Sequence, residues 1–292
     1  MQLKPQNPLL CTSRLLVAWL PFFRLERCGW SPFEAVALVH PQQGALRILA
    51  LSTPAKREGV RLGMSATQAR ALLPELQLEH LDSLQREEED LRELASQLQI
   101  LAPHPQTLAP DTLCVEIHRT TALLGGDSSI KGEEACVEIA LRKLRDLGHL
   151  SRITVVDGDR VGAAQAGKAL AQWKNKHQVI PPQQLAHALA DLPLKYIDLS
   201  FGLLESLQAL GLRTAGAIAK LPAASLVHRY GKEALWLQQM ARATPQPPRP
   251  TATETPQTRP CFSHRFELPA NHLGQLMAVL EQGVEQISRI LI

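Results

Sequence analysis

The run Leu15-Leu16-Val17-Ala18-Trp19-Leu20, stopped by Pro21, constrains the fold more than any other stretch of the chain. Apolar residues at every position, and not at every second one, suit a strand covered on both faces, so this run belongs in the centre of a sheet with a layer on either side. A membrane span needs roughly 20 apolar residues, and no stretch here reaches that. No small-residue cleavage site follows the run, and Arg24, Glu26 and Arg27 come directly after it, which argues against a secretory signal.

The segments that follow supply the rest of such a sheet. Ala35 to Val39 and Leu46 to Leu51 flank Pro41-Gln42-Gln43-Gly44 and predict a hairpin. Ser65 with Gln68 three residues later is a capping-box signature, opening a helix that Pro74 closes. Leu84, Leu91, Leu94 and Leu98 recur at helical spacing and predict an amphipathic helix over about 83–99, its acidic run being a solvated face. A strand starts near Asp111, with Leu113, Val115 and Ile117 alternating. A helix from about Glu133 to Leu147, a strand from Arg152 to Val156 and a helix from about Gly162 to Trp173 complete an interleaved α+β layer.

From about Gln183 to Ala243 only helices are expected, separated by Gly211, Pro222 and Gly231. Pro245, Pro247, Pro248, Pro250, Pro256 and Pro260 then make an extended linker. After it, Ser263 to Leu268 reads as a strand and Asn271 to Ile292 as an amphipathic helix, the start of an incomplete third domain. A chain of 292 residues with 45% hydrophobic composition has enough apolar mass for several domains. Its 31 Lys and Arg against 28 Asp and Glu give a net charge of only +3, so any nucleic-acid surface must be a local patch. The five scattered cysteines lack metal-ligand spacing and read as reduced and structural, in a cytoplasmic protein. His118, His149 and His228 stand without ligand partners at useful spacing, and no metal is assigned to them.

One local pattern points to a partner. Leu207-x-x-Leu210-Gly211-Leu212-x-x-x-Gly216-x-Ile218-Ala219 reads as two short helices joined at a glycine turn, a helix-hairpin-helix arrangement. Such a turn is expected to leave N–H groups at the start of the second helix for a phosphate oxygen, with Arg213 and Lys220 adding charge. Arg229-Tyr230-Gly231-Lys232 repeats the theme at a second turn. The plainer reading of both is a helical hairpin with a glycine C-cap and solvated cations. Phosphate contacts of this kind carry no base information.

Several stretches, in order along the chain, resemble the Y-family, translesion-type DNA polymerases. Leu16-Val17-Ala18-Trp19-Leu20-Pro21-Phe22-Phe23 is similar to the family's opening strand, Arg57-Glu58-Gly59-Val60-Arg61-Leu62-Gly63-Met64-Ser65 to its fingers motif, and Leu108-Ala109-Pro110-Asp111-Thr112-Leu113-Cys114-Val115-Glu116 to its active-site turn. The helical part matches through Leu210-Gly211-Leu212-Arg213-Thr214-Ala215-Gly216, Leu221-Pro222 and Arg229-Tyr230-Gly231. The resemblance implies a right-hand polymerase-like α+β fold. Its parts would be a first palm strand over 13–20, fingers over 21–80, palm over 81–182, a helix-hairpin-helix thumb over 183–244, a linker over 245–260 and a truncated little-finger domain over 261–292. Leu192-Pro193-Leu194 and Arg265-Phe266-Glu267-Leu268-Pro269 are similar to the ImuB branch of catalytically degenerate pseudo-polymerases.

Family chemistry uses two divalent ions bridged by carboxylates, and here the two first-strand Asp positions fall on Ala18 and Leu20, while the later Asp-Glu pair becomes Asp111-Thr112. Glu116 lies an odd number of positions from Asp111, so a regular strand would point the two apart. The triphosphate-binding Tyr and Arg fall on Thr53 and Lys56, beside Arg57, and the palm Lys falls near Arg160 or Val161. Asp157 and Asp159 read as solvated acids of a turn. The resemblance therefore implies a non-catalytic DNA-binding adaptor with no cofactor, Mg²⁺ being needed only if activity is retained. Its DNA contacts would be Gly211, Arg213, Gly216, Lys220, Arg229, Tyr230, Gly231 and Lys232. Implied partners are primer-template DNA, the sliding clamp, an ImuA-type RecA-like protein and an error-prone C-family polymerase, the chain being monomeric without DNA. Competing expectations are a divergent but active polymerase and a protein scaffold that does not bind DNA.

Overall fold

The computed structural model describes residues 13–42, 44–81, 83–125, 129–246 and 273–291. The chain runs β1 (Arg14–Trp19), α1 (Phe23–Arg27), β2 (Val36–Gln42), β3 (Ala45–Leu51), α2 (Thr53–Arg57), α3 (Ala66–Leu72) and β4 (Gln77–His80). There follow α4 (Leu84–Ser96), β5 (Gln106–Leu108), β6 (Thr112–Glu116), α5 (His118–Leu124), α6 (Ser129–Asp146), β7 (Arg152–Asp157), α7 (Ala163–Lys174) and β8 (Gln178–Val179). The remainder is helical: α8 (Leu185–Leu189), a 3-10 turn at Leu194–Tyr196, α9 (Phe201–Ala209), α10 (Ala215–Ala219), α11 (Ala223–Ala241) and α12 (Leu273–Leu291).

The continuous apolar run takes the place its composition demands. β1 is the middle strand of a five-stranded sheet ordered β5-β6-β1-β7-β8, antiparallel to both neighbours, with Leu16 opposite Val115 and Val155. Leu16, Ala18 and Leu20 join Leu113, Val115, Ile153 and Val155 in a core closed by α4 and α6. Val17, Cys114 and Val156 belong to a second core with α7 and α8–α11. Two covered faces explain why β1 shows no polar alternation. α7 comes unusually near β1 because position 167 is Gly: an added Cβ would lie 2.6 Å from a Val17 methyl.

At its first residue, β1 is fixed by charge. Arg14, 3% exposed, reaches Glu133 of α6 at 2.6 Å, Asp157 of β7 at 2.7 Å and the Ile180 carbonyl at 2.6 Å. Asp157 also accepts the Gln183 N–H at 2.8 Å. Asp157 is thus a buried ion-pair member and not a solvated turn acid. Its partner lies at the far end of the sequence from its own turn, which is why local context misleads.

Residues 36–80 build a smaller sheet, β3-β2-β4, with its own core of Val39, Ile48, Ala55, Ala69 and Leu76 among others. The predicted capping box is present, Ser65 accepting from the Gln68 N–H and Gln68 from the Ser65 N–H. α1 ties this module to α4 through Arg24–Glu87 at 2.8 Å and Arg27–Asp90 at 2.6 Å. Pro245 and Gln246, at the start of the proline-rich stretch, still pair with Arg160 and Asp159.

By contacts the chain divides into two units, Met1–Pro247 and Pro248–Ile292. In the second, α12 carries exposed Leu273, Leu276, Met277, Leu280 and Val284 at helical spacing. The strand expected at 263–268 lies outside the described residues. Among those described, no helix is long and apolar enough to cross a membrane.

Candidate active-site remnant and helical hairpin

Asp111 stands just before β6, and the chain holds it from several directions. The Leu20 N–H donates to its backbone carbonyl at 2.8 Å, which ties it to the end of β1. Its Oδ2 accepts the Trp19 indole N–H at 3.1 Å. Its Oδ1 accepts the Thr112 hydroxyl at 2.9 Å and lies 3.0 Å from Lys168 Nζ. Lys168 comes from the middle of α7 and also meets Asp198 Oδ2 at 3.1 Å, ahead of α9. The Lys168 side chain is 6% exposed, that of Asp111 23% and that of Asp198 66%.

Electrostatics keeps Lys168 charged in this setting. Burial alone would favour the neutral amine, but Asp111 and Asp198, by charge and by hydrogen bond, outweigh it and raise its pKa above the usual lysine value. Cys114, on the neighbouring strand, is pushed up to about 12 by burial, partly offset by the Lys168 charge.

Ala18 and Leu20 are both fully buried in the apolar core with α4 and α6, and neither offers an oxygen. Glu116 is exposed at the far end of β6 and accepts the Ser13 hydroxyl at 2.7 Å, away from Asp111. Arg160 pairs with Asp159 at 3.3 Å; the cation facing Asp111 is Lys168 instead. Lys168 carried no local signal in the sequence, because only the path of α7 over β1 brings it to Asp111.

A pair of divalent ions does not fit these residues. Mg²⁺ takes oxygen ligands in near-octahedral geometry, and the oxygens gathered here come from Asp111, Thr112 and Asp198, with an ammonium already bridging the two carboxylates. A metal ion would be set against a like charge within contact distance. Among the described residues, no group of three or more His, Cys, Asp and Glu side chains is arranged to hold a metal.

Thr53, Lys56 and Arg57 form α2, which Ser52 caps by accepting the Ala55 N–H. Lys56 and Arg57 are exposed in its last turn.

The predicted helical hairpin is α9–α10, with Gly211 at φ +77 ending α9 and Leu212 N–H bonded back to Leu207. The N–H groups expected to await a phosphate are already engaged. Ala215 donates to Leu192 at 2.9 Å, Gly216 to Ala190 at 3.0 Å and Ala217 to Thr214. Gly216 has a packing reason: a Cβ there would lie 2.4 Å from the Ala190 carbonyl oxygen. An anion at the start of α10 therefore meets no free N–H at these three positions. Arg213, Lys220, Arg229 and Lys232 are all exposed. Arg213 lines a shallow pocket with Pro193, Gln208 and Lys195, a cation the sequence reading did not single out. At Gly231, φ 76 and ψ −162 break α11 into two helices, and the Arg229 guanidinium lies 5.5 Å from the Tyr230 ring centre.

No protein-family model matches the chain. The fold is that of DinB from Sulfolobus solfataricus, with a TM-score of 0.63 over 80% of this chain and 68% of that one at 18% identity. A Y-family DNA polymerase chimera based on Dbh gives the same TM-score at 17% identity, covering 80% and 69%. In sequence, DNA polymerase IV of Yersinia pseudotuberculosis is 28% identical over 191 residues, 63% of this chain and 50% of that protein. The Yersinia pestis protein matches to the same extent. The chain is related to the Y-family DNA polymerases. It spans about half the length of the curated relatives it matches.

Proposed function

We propose that this protein is a non-catalytic Y-family polymerase homologue of the ImuB type, acting as a DNA-binding adaptor in a bacterial translesion synthesis complex. The observation that carries this reading is the state of Asp111. It is the one carboxylate at the positions where the family places its metal ligands, and both its oxygens are engaged by Lys168, Thr112 and Trp19. Two-metal phosphoryl transfer holds the attacking and leaving oxygens with two ions that carboxylates must ligate, and Ala18 and Leu20 supply no carboxylate.

What remains is a scaffold that can lie against DNA. Arg213, Lys220, Arg229 and Lys232 supply exposed cations on the thumb, and Lys195 adds one beside Arg213. Their contacts are with phosphates and therefore neutral to sequence. Gly211 and Gly231 shape the turns that carry them, Gly216 seats α10 against the Ala190 carbonyl, and Tyr230 lies near Arg229. The domain boundaries proposed are those given by the resemblance: palm strand 13–20, fingers 21–80, palm 81–182, thumb 183–244, linker 245–260 and the beginning of a little finger at 261–292. The partners proposed are primer-template DNA, the sliding clamp, an ImuA-type RecA-like protein and an error-prone C-family polymerase, with the protein acting in the cytoplasm as a monomer until DNA is present.

Primer extension and DNA binding test this directly. With primer-template, all four nucleotides and Mg²⁺ or Mn²⁺, the expected result is no extension; incorporation of one nucleotide that Asp111→Ala abolishes would instead make the chain an active, divergent polymerase. In a salt series the log of affinity should fall with log salt by about 0.9 per phosphate neutralised, and an Arg213/Lys220/Arg229 triple alanine variant should flatten that slope. No binding at low salt by the full chain would favour a protein scaffold.

A further inference from the structure

The Asp111 cluster does more than fail to hold a metal. Lys168 places its ammonium against the carboxylate that a divalent ion would neutralise, 3.0 Å away, and its second partner, Asp198 at 3.1 Å, belongs to the thumb. Asp198 directly follows Ile197, whose N–H is bonded to Leu194, and Leu194 in turn donates to Arg213 at the hairpin. A charge fixed on α7 over the palm is thereby connected to the loop that starts the DNA-facing hairpin. Gly167 makes this reach feasible, since α7 could not lie so near Val17 with a larger residue there.

We propose that Lys168 is a resident cation that takes over the charge-neutralising part of a catalytic metal ion at Asp111 and, through Asp198, pins the thumb to the palm whether or not divalent ions are present. The proposal rests on the reading of Asp111 as a metal-site remnant, not on the DNA contacts. The two bonds differ in weight. The Lys168–Asp111 bond is mostly shielded from water and sets the position of the ammonium, whereas the exposed Asp198 is screened by solvent and contributes less. A lysine suits the task because its three donors can serve two carboxylates from one atom.

The test uses the full chain and two readouts. Manganese binding is followed by electron paramagnetic resonance in wild type and Asp111→Asn. Hydrogen exchange of the Tyr196 and Ile197 amides is compared among wild type, Lys168→Met, Lys168→Arg and Asp198→Asn, with and without EDTA. The expected results are no Asp111-dependent Mn²⁺ site in wild type and no effect of EDTA on exchange. Exchange at Tyr196 and Ile197 should be about tenfold faster in Lys168→Met, partly restored in Lys168→Arg, and about threefold faster in Asp198→Asn. Asp198→Asn changes an exposed residue and keeps the latch testable should Lys168→Met not fold. Mn²⁺ binding by wild type that Asp111→Asn removes, or unchanged exchange in folded Lys168→Met or in Asp198→Asn, overturns the proposal. Mn²⁺ bound at Asp111 without primer extension would remove only the role of Lys168, whereas unchanged exchange with no extension would leave the adaptor reading standing.

Discussion

The two ends of β1 each carry one cation between two carboxylates, and they differ in how closed the arrangement is. At the first residue, Arg14 lies between Glu133 and Asp157, all three side chains at most 4% exposed, and the Ile180 carbonyl and Gln183 N–H take up further valences. At the other end Lys168 lies between Asp111 and Asp198, and exposure rises from 6% through 23% to 66%. A planar guanidinium with five fixed donors suits the closed cluster, and a compact ammonium on a flexible stem suits the open one. The closed cluster welds α6, β1 and β7 together. The open one keeps a carboxylate near solvent at the turn that leads into β6.

Substitutions at each end should separate these roles. The largest effect is expected for Arg14→Met, which leaves two buried carboxylates unpaired and should cost about 3–5 kcal/mol in chemical denaturation. Should that loss prove below about 1 kcal/mol, the two ends would not differ in kind. Gly167→Ala should cost about 1–3 kcal/mol by forcing α7 off Val17, acting on the Lys168 end and not on Arg14. Lys168→Met is expected to lose about 1–2 kcal/mol, since Asp111 keeps Trp19 and Thr112 as donors. Asp198→Asn should fall below about 1 kcal/mol and shrink further in high salt; a loss equal to that of Lys168→Met would show that the Asp198 contact dominates.

The closed end was largely invisible in the sequence and the open end half visible, for the same physical reason. Local signals gave the central strand through its unbroken apolar run, the β2–β3 hairpin through its turn residues, and α3 through Ser65 and Gln68. Asp111 was legible because its surroundings resemble an active-site turn. Lys168 and Arg14 were not, because each finds its partners only after the sheet and α7 assemble, and neither spacing nor composition records that. Short elements such as α1, β4 and β5, with only three to five residues each, are too brief to impose a period. Gly216 reads in the sequence as part of a phosphate-binding hairpin, while the constraint the structure shows is the Ala190 carbonyl that a Cβ would strike.

The burial of positions 18 and 20 also bears on evolutionary reversibility. Both side chains have 0% exposure among the Leu and Ala residues of α4 and α6. A single change of either to Asp would set a carboxylate in apolar surroundings, at a cost of several kcal/mol against the 5–15 kcal/mol or so that keeps a typical domain folded. Lys168 would still hold Asp111, so the first carboxylate gained would bring no metal ion with it. On the proposed reading, each step toward a two-metal centre would be uphill until several were taken together, the packing around positions 18 and 20 holding the chain in its present arrangement.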